Sequence, residues 1–393
     1  MTLVSEPSLL PSPATEAQVA RALDACVAQV RRNLPQFTYR AQNHSSVGNV
    51  YPAVDNDQWT AGFWPGQIWL AYEQTGDKLF RLAGQIQVQS FLHRIVNRIA
   101  TDHHDMGFLY NPSCIAAFKL VGDEDGRRAA LLAADQLAER FQAKGGFIQA
   151  WGAMSEPGNY RYIIDCLLNL PLLYWAARET GRPRYRQIAR IHAATTLAHS
   201  VRPDASTYHT FFMDPETGAP LHGATKQGYS DSSSWARGQA WGVYGMALAY
   251  RHEGRPEYRD AFHRLLGYYL ARLPQDLVPY WDLIFTEGEE PRDSSSAAIV
   301  ACGLLEMADL VEEPAQAEDL RLLARRMMAS LIATYAVTDP ETSNGLLLHG
   351  TYSKKTPYNT CRGEGVDECV SWGDYYYMEA LTRLSRPWSS YWW

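Results

Sequence analysis

Two aspartates have the setting that acid–base chemistry needs. Asp105 lies in His103-His104-Asp105-Met106-Gly107-Phe108, and Asp165 lies in Tyr162-Ile163-Ile164-Asp165-Cys166-Leu167-Leu168-Asn169. Each is an acid where a loop runs into an apolar stretch. A lone carboxylate is costly to bury, so an acid placed there needs partners or a role. The bland reading of one such acid is a helix cap or half of a structural ion pair. The residues around the pair move the balance toward a shared site. Arg237 and Trp241, in Trp235-Ala236-Arg237-Gly238-Gln239-Ala240-Trp241-Gly242, are four apart and share a helical face. An Arg there can clamp a carboxylate bidentately while Trp241 stacks beside it. The competing reading is an Arg bound to a structural acid.

Composition narrows the chemistry further. The chain has 393 residues, 46% hydrophobic and 20% charged, which is ordinary for a globular protein. Its net charge of −7 argues against a broad nucleic-acid surface. Aromatic residues stand out, with 12 Trp and 23 Tyr. Such rings suit ligands that are apolar on one face and polar at the edge, as sugars are. Trp59, in Gln58-Trp59-Thr60-Ala61-Gly62-Phe63-Trp64-Pro65-Gly66, can stack on a sugar ring or pack structurally. His104 can orient Asp105 or bind the ligand. His209, in Tyr208-His209-Thr210-Phe211-Phe212, and Gln227, in Lys226-Gln227-Gly228-Tyr229, are candidate contacts or satisfied loop residues. The 11 histidines show no metal-ligand spacing, and no Gly-rich phosphate loop occurs, so neither a metal nor a nucleotide cofactor is expected. Six cysteines form no disulfide framework. Residues 1–14 do not read as a signal peptide, and no apolar run is long enough to span a bilayer. A cytoplasmic enzyme with reduced thiols is expected, bound to no membrane or nucleic acid, as a monomer or homodimer.

The elements that must hold these residues are helical. Apolar residues recur at three- and four-residue steps over 15–33, 59–75, 77–97, 108–121, 125–142, 162–180, 183–200, 236–252, 256–272, 294–310, 316–335 and 368–385. Short turns join pairs of them: Gln74-Thr75-Gly76-Asp77, Val121-Gly122-Asp123, Glu179-Thr180-Gly181-Arg182, Glu253-Gly254-Arg255-Pro256 and Val311-Glu312-Glu313-Pro314. Gly ends one helix, and Asp or Pro starts the next. Turns this short force antiparallel helix hairpins. Five hairpins result, and pairing the first and last segments closes a ring of six. The expected fold is all-α, an (α/α)6 toroid or six-hairpin barrel, forming a single catalytic domain over 1–393 with a flexible segment at 1–14. The long loops precede the inner helices, so they gather at one end with the helix N-termini. That end collects Trp59, His104, Asp105, Asp165, the loop from His209 to Trp235, Arg237, Trp241, Asp293 and Trp372, and it is the default active site.

In this light the chain resembles the unsaturated glucuronyl hydrolases, glycoside hydrolase family 88, over roughly residues 15 to 385. The motifs that carry the resemblance are Trp59-Thr60-Ala61-Gly62-Phe63-Trp64-Pro65-Gly66, His104-Asp105-Met106-Gly107-Phe108, Ile164-Asp165-Cys166-Leu167, Ser232-Ser233-Ser234-Trp235-Ala236-Arg237-Gly238-Gln239-Ala240-Trp241, Asp293-Ser294-Ser295-Ser296 and Trp372-Gly373-Asp374-Tyr375-Tyr376. The resemblance implies the same barrel, with Asp165 as general acid/base and Asp105 as the second essential carboxylate. It implies a substrate site lined by Trp59, Trp151, His209, Gln227, Arg237 and Trp241. The loop Gly350-Thr351-Tyr352-Ser353-Lys354-Lys355 falls where some members recognise sulfate, which makes Ser353 and Lys355 candidate contacts, although only part of that pattern is present.

The implied substrate is an unsaturated oligosaccharide made by a polysaccharide lyase, with a C4=C5 uronic acid at its non-reducing end. The implied reaction is hydration of that vinyl ether without a cofactor. An acid that delivers a proton near neutral pH needs a raised pKa, and Asp105 and the apolar flanks would raise that of Asp165. Three alternatives stay open. One is an unsaturated rhamnogalacturonyl hydrolase acting on pectin fragments. Another is a sugar epimerase, which would be expected to use paired histidines. The third is a non-catalytic carbohydrate-binding protein, which would need neither aspartate.

Overall fold

The computed structural model describes residues 10–393. The part of the expected flexible segment at 1–9 lies outside the described residues. The carbonyls of Pro11 and Ala14 accept hydrogen bonds from Arg326 (2.9 Å) and Arg325 (3.0 Å).

The helices are α1 (Glu16–Phe37), α2 (Phe63–Thr75), α3 (Lys78–Val96), α4 (Met106–Tyr110), α5 (Ala116–Val121), α6 (Glu124–Glu139), α7 (Leu170–Thr180), α8 (Pro183–His199), α9 (Ala236–Glu253), α10 (Pro256–Leu270), α11 (Ser294–Ala308), α12 (Pro314–Ser330) and α13 (Ser371–Ser385). A π turn over Asn111–Ile115 joins α4 to α5, so the two act as one wall of the ring. The inner wall runs α2, α4–α5, α7, α9, α11, α13, and α13 packs back on α2. α1 lies against both α13 and α2, which closes the ring. The mostly helical chain thus forms the expected (α/α)6 barrel.

Sequence chemistry explains the turns. Gly76, Gly122, Gly181 and Gly254 end helices at φ of 66°, 68°, 70° and 64°, a left-handed backbone that favours glycine. Asp77 and Asp123 then cap the next helix by accepting from the Leu79 and Gly126 amides. Prolines 183, 256 and 314 open α8, α10 and α12. Burial separates the layers. Every residue of α11 is buried, whereas α12 exposes charge.

Three inner helices depart from the expected spans, and prolines account for it. The segments 59–75 and 162–180 become helical only at Phe63 and Leu170. Pro65 and Pro171 lack the N–H that an earlier start would require. Pro112 likewise breaks the bond back to Phe108, and the helix widens into its π turn there.

Short strands decorate the loop-bearing end: β1 (Ala41–Gln42), β2 (Ala53–Val54), β3 (Phe141–Gln142), β4 (Phe147–Ile148), β5 (Arg161–Ile163), β6 (Thr210–Met213), β7 (Pro220–Ala224), β8 (Gly350–Ser353) and β9 (Glu364–Glu368). They pair antiparallel as β1-β2, β3-β4, β5-β6-β7 and β8-β9. Among the described residues no helix is long and apolar enough to cross a membrane. All six cysteines are free and buried.

Candidate active site

The two acid motifs meet through Gly107 and Asn169. A Cβ at Gly107 would lie 2.4 Å from the Asn169 Cα, so only glycine lets α4 come this close to the turn after Asp165. The Asn169 side chain then ties the motifs together. Its Oδ1 accepts from the Phe108 amide (2.8 Å), and its Nδ2 donates to the Asp165 carbonyl (3.3 Å). Asp105 immediately precedes α4, and Asp165 sits in a 3-10 turn over Ile164–Leu168.

Strand pairing brings in residues from afar. Ile163 pairs with Thr210, and the Ile164 amide bonds the His209 carbonyl (3.1 Å), which sets His209 beside Asp165. A bridge between His103 and Trp151, with the His104 amide bonding the Ala150 carbonyl (2.8 Å), places Trp151 beside Asp105. The His209 Nε2 lies 3.2 Å from the Gln227 Oε1, and the Gln227 Nε2 donates to the Tyr352 carbonyl (2.9 Å). The Trp59 indole N–H donates to the Tyr352 hydroxyl (3.2 Å).

These groups surround a cavity of about 470 Å³. Of the residues expected from sequence, Trp59, His104, Asp105, Trp151, Asp165, Gln227 and Ser353 line it. His209 stands just behind Gln227. Trp241 is fully buried beneath, against Phe108 (ring centroids 5.1 Å) and Tyr376 (5.5 Å). Lys355 is exposed and donates to the Asn359 carbonyl (2.5 Å), away from the wall.

Arg237 differs most from its expected part as a two-point clamp. It is fully buried, and a buried guanidinium needs an anion. Its Nη1 donates to Asp293 (2.7 Å) and to the Thr351 carbonyl (2.6 Å), and its Nη2 donates to the Tyr352 carbonyl (2.6 Å). The Nε–H is buried without a protein partner. Arg237 thus holds the strand that presents Tyr352 to the cavity, and Nε is its one nitrogen left without a protein partner.

Sequence reading missed Tyr352, Lys226, Thr360, Cys361, Arg362 and Glu364 on the wall. Lys226 lies beside Gln227 and could have been noticed. Thr360 to Glu364 reach the site only because the Cys361 amide bonds the Lys226 carbonyl (3.1 Å) and β9 pairs with β8.

The two carboxylates are pushed in opposite directions. Burial, then the negative charge of Asp105, raises Asp165 from 3.8 to about 8, and Arg237 pulls back only in part. Its Oδ1 has no hydrogen-bond partner, as suits a neutral acid awaiting a ligand. For Asp105 burial also pushes upward, but His104, His103 and Arg140 outweigh it and hold the group below its usual range. The His104 Nε2 is 3.3 Å and the His103 Nδ1 is 3.1 Å from the Asp105 oxygens. Burial lowers His104 to about 4 and His209 to about 3, so both rings are neutral near pH 7. One wall therefore presents a protonated acid beside an ionised carboxylate, the arrangement of a general acid and its electrostatic partner. Among the described residues no cluster of three or more His, Cys, Asp or Glu could hold a metal ion.

Comparisons with known proteins give the chain a family. The Glycosyl Hydrolase Family 88 profile matches residues 34–384. The unsaturated chondroitin disaccharide hydrolase of Streptococcus pyogenes serotype M1 is 47% identical over 380 residues, covering 96% of this chain and 94% of that protein. The unsaturated glucuronyl hydrolase of Bacillus sp. strain GL1 is 44% identical, covering 92% and 95%. The crystal structure of unsaturated glucuronyl hydrolase from Streptococcus agalactiae superposes with a TM-score of 0.94 at 45% identity, covering 99% of this chain and 97% of that one. With its barrel and its paired aspartates, the chain belongs to glycosyl hydrolase family 88.

Proposed function

We propose that this enzyme releases the C4=C5 unsaturated uronic acid from the non-reducing end of glycosaminoglycan disaccharides made by lyases, by hydrating the ring double bond. The observation that carries this reading is the neutral Asp165 carboxyl on the cavity wall beside ionised Asp105. Asp165 gives its proton to C4, and the ring oxygen shares the positive charge that develops at C5. The ionised Asp105 stabilises that charge. Water adds at C5 and yields its proton to the Asp165 carboxylate, which restores the acid. The C5 hemiketal then opens to a ketone, and the resulting C1 hemiacetal collapses and expels the second sugar. One water is consumed. The step differs from ordinary glycoside hydrolysis, in which the acid protonates the glycosidic oxygen.

The cavity mouth supports an anionic second sugar. Lys226 Nζ and Arg161 Cζ stand 4.4 Å and 4.7 Å from the Trp151 ring centroid, and Arg362 lines the same wall. Among the described residues none of the three forms an ion pair with an acid. A sulfate ester on an N-acetylgalactosamine would neutralise them, in keeping with the chondroitin-directed relatives. With its six free thiols, the enzyme is read as cytoplasmic, a monomer or homodimer. The relatives' names favour glucuronyl over rhamnogalacturonyl substrates.

The test follows loss of double-bond absorbance with lyase products of chondroitin, hyaluronan, heparin and pectin. Chondroitin-type disaccharides are expected to react fastest. Asp165→Asn should lose at least roughly 10²-fold in rate while binding stays within about tenfold. A pectin product as the best substrate, or an Asp165→Asn enzyme near wild-type rate, overturns the reading.

A further inference from the structure

The opposite end of the barrel holds a second polar cavity, of about 570 Å³, at the C-terminal ends of α9, α11 and α13. The 15 residues of α11 at 1.5 Å each put it roughly 20 Å from the aspartates. Five arginines line it: Arg251, Arg321, Arg325, Arg383 and Arg386. Their charges are not all matched. Arg251 and Arg383 are neutralised by buried Glu306 and Glu379. Arg321 pairs with Asp309 at 3.0 Å. Arg325 and Arg386 form no ion pair with an acid among the described residues. Arg325 donates to the Ala14 carbonyl (3.0 Å), and Arg386 donates to the Glu73 carbonyl (2.9 Å). The Arg386 Nη2 is buried with no partner at all. The main-chain oxygen of Trp393 accepts from Lys119.

Cations do complement helix C-termini, and that accounts for Arg251 and Arg383 in the last turns of α9 and α13. It does not account for Arg325, which lies on α12 well inside the helix, or for the bare nitrogen of Arg386. These two guanidiniums on one cavity form no ion pair among the described residues, and the Glu73 carboxylate near Arg386 is taken up by the Trp388 indole (2.9 Å) and the Tyr391 hydroxyl (2.5 Å), which leaves the cavity short of an anion. Trp388 and Trp393 supply flat apolar walls beside it, with Arg383 4.8 Å from the Trp388 ring centroid and Arg251 4.3 Å from that of Trp393. We propose that this cavity is a second, non-catalytic binding site for a tetrahedral oxyanion, sulfate or phosphate, carried on a sugar-sized ring: the anion between Arg325 and Arg386, the ring against Trp388.

Calorimetric titration of the wild-type enzyme at constant ionic strength tests this. The probes are sodium sulfate, sodium phosphate and N-acetylgalactosamine 6-sulfate. Saturable binding of sulfate or phosphate is expected, and the tighter of the two names the source of the oxyanion. The ring-bearing probe should bind at least severalfold tighter than inorganic sulfate, and Trp388→Ala should remove that advantage. Arg325→Gln/Arg386→Gln should weaken binding at least tenfold without altering kcat/KM. Titration in a Lys226→Met background, which removes a cation from the Asp105–Asp165 cavity, should retain a saturable component that Arg325→Gln/Arg386→Gln removes. Loss of all binding in Lys226→Met, or equal binding with and without the two arginine substitutions in that background, overturns the proposal. Should the double variant fail to fold, wild-type crystals soaked in selenate decide the matter. An anomalous selenium peak between Arg325 and Arg386 supports the site, and its absence overturns it.

Discussion

Asp165 and Asp105 are the same residue type made into different reagents by their surroundings. Burial and the neighbouring charge keep Asp165 protonated to about pH 8, while histidines and Arg140 keep Asp105 ionised. The rate should therefore fall as pH rises through the Asp165 titration, and it should fall at acidic pH as Asp105 takes a proton. Asp105→Asn removes the charge that lifts Asp165. Its residual activity should lose the acidic limb and show an alkaline limb moved to lower pH, read from full pH profiles as properties of the coupled pair. An alkaline limb that stays in place would mean that Asp105 does not act on Asp165. Stability carries the same signature. The Asp165 pKa rises from 3.8 to about 8 on folding, so the unfolded chain ionises first and wild-type stability is lost as pH climbs between those values. Asparagine does not titrate. Asp165→Asn should gain in Tm over wild type across that interval, and a gap that stays flat with pH would contradict the buried neutral acid.

The acids are positioned by elements that touch, and Gly107 is where they touch. Asn169 bonds Phe108 on one side and the Asp165 carbonyl on the other, so α4 and the turn before α7 move together. A methyl group at Gly107 would meet the Asn169 backbone at 2.4 Å, and backbone cannot swing aside as a side chain can. Gly107→Ala should cost about 1–3 kcal/mol of stability in urea unfolding. It should also lower kcat by on the order of 10- to 100-fold, because small misplacements of reacting groups are expensive. Lost stability with unchanged kcat would show that this contact supports the fold alone.

Across the whole molecule the two ends of the barrel do different work. The loop-bearing end gathers short strands and the cavity lined by Asp105 and Asp165. The far end is closed by a buried ionic knot in which Glu379 accepts from Arg383 Nε (2.9 Å), the Tyr244 hydroxyl (2.7 Å) and the Trp392 indole (2.8 Å). Glu379→Ala would strand part of the Arg383 charge in the core and should cost about 3–5 kcal/mol. Measured in urea, the midpoint should drop while KM stays at the wild-type value. A changed KM would mean that the ends are coupled through the inner helices.

The sequence by itself determined the helix hairpins, the ring and the two acid motifs. These rest on local signals: apolar periodicity, glycine and proline at turns, and an acid at the edge of an apolar run. Trp59, His104 and Gln227 were legible for the same reason, since each stands in a distinctive local run. Only the tertiary structure decided what depends on contacts between distant segments. It set Tyr352, Lys226 and Arg362 on the cavity wall through the β8-β9 pair and the Cys361–Lys226 bond. It turned Arg237 from a candidate clamp into the partner of Asp293, because a fully buried guanidinium takes the nearest buried carboxylate. It put Ser353 on the wall and left Lys355 outside, a difference of two residues that strand geometry decides and composition does not. The opposed pKa shifts of Asp165 and Asp105 are likewise tertiary, since burial and the distance between charges exist only once the ring has closed.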